Sequence, residues 1–112
     1  VQCSGEGAQV LAHDAHALAD AGAFAVVFEM VPEPIATQLS QQLSIITIGI
    51  GAGPHTDGQV LVWSDMAGMT SCSPSFARRF AQIGQELHSA TQSYISCVRD
   101  GSFPSPENYR TN

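Results

Sequence analysis

Two short runs, Phe24 to Met30 (FAVVFEM) and Ile45 to Ile50 (IITIGI), are apolar at almost every position, and no other feature limits the fold as much. A strand with one face in water alternates apolar and polar residues. A strand that is apolar throughout belongs in a sheet covered on both faces, usually a parallel one. Pro32 and Pro34 lie between the runs and mark a turn and a helix start, and Ile35, Leu39 and Leu43 follow at i, i+4 and i+8. Upstream, Leu11, Ala15, Leu18 and Ala21 place one apolar face on a helix over about residues 7–21, with Gly22 where a left-handed cap belongs.

Downstream, Gly49, Gly51 and Gly53 alternate across the end of the second run, and Pro54 to Gly58 forms a polar turn. Gln59 to Trp63 reads as a third strand, closed by Ser64 and Asp65. Ser73 then reads as an N-cap with Pro74 at the first helical position. Phe76, Phe80, Ile83, Leu87, Tyr94 and Val98 continue a helical stripe, broken near Gly84 and stopped by Asp100-Gly101. The remainder, with two prolines, reads as a tail. Helices alternating with strands predict right-handed crossovers and a parallel sheet. Three strands cannot close a barrel, and a full (β/α)8 barrel needs about 250 residues.

With 112 residues the chain is at most one domain. Charged residues are 12% of it, half the usual ~25%, which excludes a disordered chain and favours buried segments. The four basic residues are all arginines (Arg78, Arg79, Arg99, Arg110), so residues 1–77 hold seven acids and no fixed positive charge. That distribution argues against nucleic acid, which demands clustered Lys and Arg. No apolar run reaches the ~20 residues of a membrane span. Cys3, Cys72 and Cys97 are odd in number and form no C-x-x-C pair, so reduced thiols in a cytoplasmic protein are expected. The opening on Val1, with no leader, predicts a piece of a longer protein.

Glu29 is the most informative residue. A carboxylate in a doubly covered strand is costly to ionise without a partner. At the C-terminal end of a strand in an α/β fold it would face the active-site crevice. A strand-end residue already in solvent is the alternative, and the residues alone leave both open. The run Ile48-Gly-Ile-Gly-Ala-Gly-Pro54 spaces its glycines as G-x-G-x-G and leads into a turn and a strand, which excludes a dinucleotide fingerprint. Its glycines instead let backbone and ligand approach closely, making Gly51, Gly53 and His55 candidates for a substrate loop. His13 and His16 lie three apart with no third metal ligand in range, and read as a solvated helix face. His88 reads as structural. Ser73, Ser75 and Cys72 lack the setting of a nucleophile.

Phe28-Glu29-Met30-Val31-Pro32, together with Ile46 to Met69 (ITIGIGAGPHTDGQVLVWSDMAGM), resembles the ketopantoate hydroxymethyltransferase family. Val1-Gln2 with Gly5 resembles that family's V-Q-G-x-G segment, Cys3 standing where glycine is usual, and Val98 to Pro104 (VRDGSFP) resembles its tail. The resemblance covers essentially the whole chain but only the second half of a (β/α)8 barrel enzyme. It implies that residues 1–112 are a partial domain holding the barrel's last three strands and C-terminal helices.

The resemblance further implies that Glu29 matches the family's proton acceptor. It implies transfer of a hydroxymethyl group from 5,10-methylenetetrahydrofolate to 3-methyl-2-oxobutanoate, giving 2-dehydropantoate. Magnesium ligands and the substrate-binding Ser and Lys fall in the missing N-terminal half, so no metal ligand is expected in this chain. An anionic oxo acid facing residues 1–77 needs a cation from elsewhere, which agrees with that division. The step served by Glu29, at C3 of the oxo acid or around the hydroxymethyl group, stays open. The implied partners are the missing half and further copies of the chain, associating through open sheet edges; the chain alone is expected to be inactive. The competing readings are a non-catalytic α/β module that self-associates, or another oxo-acid carbon–carbon bond enzyme of the same barrel type.

Overall fold

The computed structural model describes residues 5–112, so Val1, Gln2 and Cys3 of the resemblance lie outside the described residues. The chain divides after Leu61 into two compact units. The first holds helix α1 (Gly5–Asp20), strand β1 (Ala25–Glu29), helix α2 (Glu33–Gln42), strand β2 (Ile46–Ile50) and strand β3 (Gly58–Gln59). The second holds a single helical turn α3 (Trp63–Met66), helix α4 (Ile83–Asp100) and a 3-10 turn at Pro106–Asn108. It is an α/β chain with a small parallel sheet.

The sheet order is β1-β2-β3, all parallel, with Ala25 beside Ile46, Val27 beside Ile48 and Glu29 beside Ile50. Side chains alternate across it. Val26 and Phe28 turn to the helices, where Phe28 packs with Ala15, Val31, Ala36, Leu39 and Ala52 in the core of the first unit. On the opposite face stand Ala25, Val27, Glu29, Ile46, Ile48 and Ile50, and both Val27 and Ile46 are 55% exposed. The sequence expectation of strands covered on both faces is thus met on one face only. Helices cover Phe28 and Thr47, whereas Val27 and Ile46 have no comparable cover.

Thr47 is fully buried, and its hydroxyl lies 2.8 Å from Ser40 Oγ. Its backbone N–H donates to Asp57 Oδ2 at 2.8 Å, and the Asp57 N–H donates to Thr47 Oγ1 at 3.2 Å. This exchange aligns Gly58 with Ile48 and lets residues 51–57 join neighbouring parallel strands without a helix. Such connections normally need about a dozen residues or more.

Two expectations fail. The third strand is not Gln59 to Trp63 but Gly58–Gln59, the ladder ending where Val60 N–H donates to Gly49 O. Trp63 opens α3 instead, because the Val62 carbonyl accepts from Asp65 and Met66. Nor does a helix begin at Ser73-Pro74; one turn closes between Pro74 and Ala77, and α4 starts at Ile83. Residues 80–82 stay outside the helix, and Phe80, Ile83 and Gly84 donate to the carbonyls of Met66, Ala67 and Gly68. The break expected near Gly84 is present, since residues 77–82 are non-helical and α4 starts at Ile83; Gly84 itself is helical. It permits this approach, since a methyl there would lie 2.9 Å from the Gly68 and Met69 carbonyl oxygens. Gly22 and Gly101 take the expected left-handed conformation after α1 and α4.

Candidate active site

Parallel strands deliver their C-terminal ends to one edge of a sheet, and that edge gathers the predicted residues. Glu29 is the last residue of β1, directly beside Ile50, and Gly51 to Gly53 continue from Ile50. Glu29 is exposed, the second of the two settings that the sequence left open for it. It stands on the sheet face that carries Val27, Ile48 and Ile50, and it lines a groove of about 260 Å³ together with Leu11, Asp14 and Val27.

The residue after it carries a feature that sequence reasoning missed. Met30 has φ +53°, the left-handed region that costs a side-chain-bearing residue about 1–2 kcal/mol. Its N–H donates to Ile50 O at 2.9 Å, which holds the β1 end against β2. Strained residues of this kind concentrate at functional sites, where surrounding structure maintains them. No local sequence signal marks Met30.

The glycine-rich loop is fastened to the start of α2. Gly53 has φ +84°, and a Cβ there would overlap the Glu33 side chain, so only glycine fits without displacement. His55 Nε2 lies 3.7 Å from Glu33 Oε1, which also accepts from Thr37 Oγ1 at 3.0 Å. His55 therefore meets Glu33, not Glu29. Gly51 also takes a left-handed φ of +63°, and Ala52 between the two glycines is buried. Glu33 had no sequence signal beyond its place at a helix start. Asp57, at the far end of the loop, has its carboxyl held below the usual carboxylate range, first by the Thr47 N–H and then by the Thr47 hydroxyl.

His13 and His16 are exposed on α1, as read from sequence. Cys72 and Cys97 are free thiols, and Cys72 is exposed. Among the described residues, no group of three or more His, Cys, Asp or Glu is placed to hold a metal ion, and no helix is long and apolar enough to cross a membrane.

The family model described as ketopantoate hydroxymethyltransferase matches residues 1–106. The chain belongs to that family. It is 56% identical over 108 residues to the 3-methyl-2-oxobutanoate hydroxymethyltransferase of Mycolicibacterium paratuberculosis (strain ATCC BAA-968 / K-10), covering 96% of this chain and 38% of that protein. The enzyme of the same name from Leifsonia xyli subsp. xyli is 51% identical, with 96% and 39% covered. That from Saccharopolyspora erythraea is 54% identical, with 96% and 37% covered. The chain thus spans less than two-fifths of the length of these curated relatives.

Proposed function

We propose that this chain forms the C-terminal strands and helices of a (β/α)8 barrel hydroxymethyltransferase, with Glu29 as its catalytic base. One observation carries the reading: Glu29 sits at the C-terminal end of a parallel strand, on an apolar sheet face that this chain leaves exposed. In a closed barrel that face is the interior, and its C-terminal end is where barrel enzymes hold their chemistry. β1 is an edge strand here, consistent with a preceding strand contributed by the N-terminal half of the enzyme.

The reaction proposed is hydroxymethyl transfer from 5,10-methylenetetrahydrofolate to 3-methyl-2-oxobutanoate, giving 2-dehydropantoate. Glu29 takes the proton from C3 of the oxo acid, and the C–H electron pair passes into the enolate. That carbon then forms the bond to the methylene carbon of the donor, whose two bonds to nitrogen break in turn; water supplies the hydroxyl oxygen, and the nitrogens take up the protons as tetrahydrofolate leaves. Gly51 and Gly53 shape the loop beside the substrate, and His55 together with Glu33 holds that loop to α2. A metal used by the whole enzyme takes its ligands from outside this chain, as does any cation meeting the substrate carboxylate. The partners proposed are the N-terminal half and further copies of the chain, in a cytoplasmic enzyme.

The test is Glu29→Gln in the full-length enzyme. Gln keeps the size and hydrogen-bonding reach of Glu but accepts no proton, so the rate should fall about 10²–10⁴-fold with the melting temperature nearly unchanged. Deuterium exchange at C3 of the oxo acid, followed by NMR without the folate donor, should fall with it. A rate within about threefold of the parent would remove Glu29 from the role of base. The 112-residue chain alone should show no turnover, and addition of the separately expressed N-terminal half should restore it.

A further inference from the structure

The second unit contains a cavity of about 520 Å³ that the proposed reaction does not use. Its wall brings together Arg79 and His88 with Thr70, Gln82, Gln85 and Ser89, and no residue lining it is acidic. That is notable in a chain of net charge −6 whose fixed cations are four arginines. His88, read from sequence as structural, is exposed on α4 and faces this space.

Arg79 is held in place by neutral acceptors. Its Nη2 donates to Ser71 O at 2.9 Å and its Nε lies 3.4 Å from Ser73 Oγ. Among the described residues no carboxylate lies within 4.0 Å of its guanidinium. The guanidinium is therefore oriented but not neutralised, the condition in which it best receives a carboxylate or phosphate in a forked pair. Glu86 is adjacent in sequence on the first turn of α4 but does not line the cavity. The first amides of that helix, Ile83 and Gly84, already donate to the Ala67 and Gly68 carbonyls. Recognition must come from the side chains.

We propose that this cavity binds a small multiply charged anion bearing carboxylate or phosphate groups, with Arg79 as its principal contact and His88 and Ser89 as further donors. Every residue that lines it belongs to the second unit. The experiment titrates pyrophosphate, and separately citrate, into the isotopically labelled 112-residue chain at constant ionic strength, followed by amide NMR. Saturable shifts confined to residues 68–71, 79 and 82–89 are expected. Binding by both probes establishes a general anion site; binding by one alone supports the site and names its chemistry. Arg79→Gln should weaken binding about tenfold or more, as expected for losing a hydrogen bond to a charged group, and Arg99→Gln should leave it unchanged. Because Arg79 also ties down residues 71–73, His88→Gln and Ser89→Ala provide the second reading and should each weaken binding in a chain with an unchanged spectrum. No saturable shift with either probe would overturn the proposal. Equal weakening by Arg79→Gln and Arg99→Gln would also overturn it, by showing only general charge attraction.

Discussion

The two units solve opposite problems. In the first, helices α1 and α2 bury Phe28 and Leu39, leaving those side chains 3% and 1% exposed. In the second, α4 runs from Ile83 to Asp100 and buries none of its residues, with Leu87 at 55% and Tyr94 at 57% exposure. Both helical stripes follow the same 3.6-residue period. Periodicity identifies which side of a helix is apolar, but whether that side is covered depends on what is present to pack against it.

The largest expected effect tests this contrast directly. Leu39→Ala should destabilise the first unit by about 2–5 kcal/mol, the range for truncating a fully buried Leu. Leu87→Ala in the same chain should change stability by no more than about 0.5 kcal/mol, as surface substitutions do. Hydrogen exchange of amides in each unit gives the two values separately. Comparable losses would show that α4 is covered in solution and would remove the contrast.

Gly53→Ala should come next, because it combines a left-handed φ with overlap against Glu33. Overpacking of this kind typically costs about 1–3 kcal/mol. Thermal unfolding of the chain measures it, and an unchanged midpoint would mean that the loop does not rest on α2.

Asp57 sharpens the comparison through pH. Its carboxyl titrates below the ordinary value because the charged form accepts from Thr47. The folded state therefore binds that proton less readily than the unfolded chain does. Its stabilising contribution is present above the unfolded carboxylate pKa and is lost as pH falls through the lower folded value. Asp57→Asn should flatten this acid limb in the first unit. The Asp100 carboxyl, lowered by Ser102, should shape the corresponding limb of the second. Acid titration followed by residue-resolved NMR distinguishes the two.

His55→Ala should have the smallest effect. The pair with Glu33 is 61% and 47% exposed, and surface pairs contribute at most about 1 kcal/mol. A larger loss of stability would show that the loop depends on this pair more than on the fit of Gly53.

Some of this was determined by the sequence itself. The apolar runs around Val27 and Ile48, the stripe through Leu39 and the glycines at 22 and 101 specify local elements, because period and cap chemistry act over a few residues. The same is true of Glu29 as the lone charge in an apolar strand, and the motif around it was specific enough to indicate the family. Tertiary structure decided the rest. Trp63 turned from strand to helix because the Val62 carbonyl found Asp65 and Met66. The stripe at Phe76 and Phe80 stayed non-helical because residues 80–84 found the carbonyls of 66–68. Met30 N–H reached Ile50 O, and Glu33 met His55 across the chain. Except for the local turn at Trp63, these outcomes depend on hydrogen bonds or contacts between distant residues, and no local propensity encodes them.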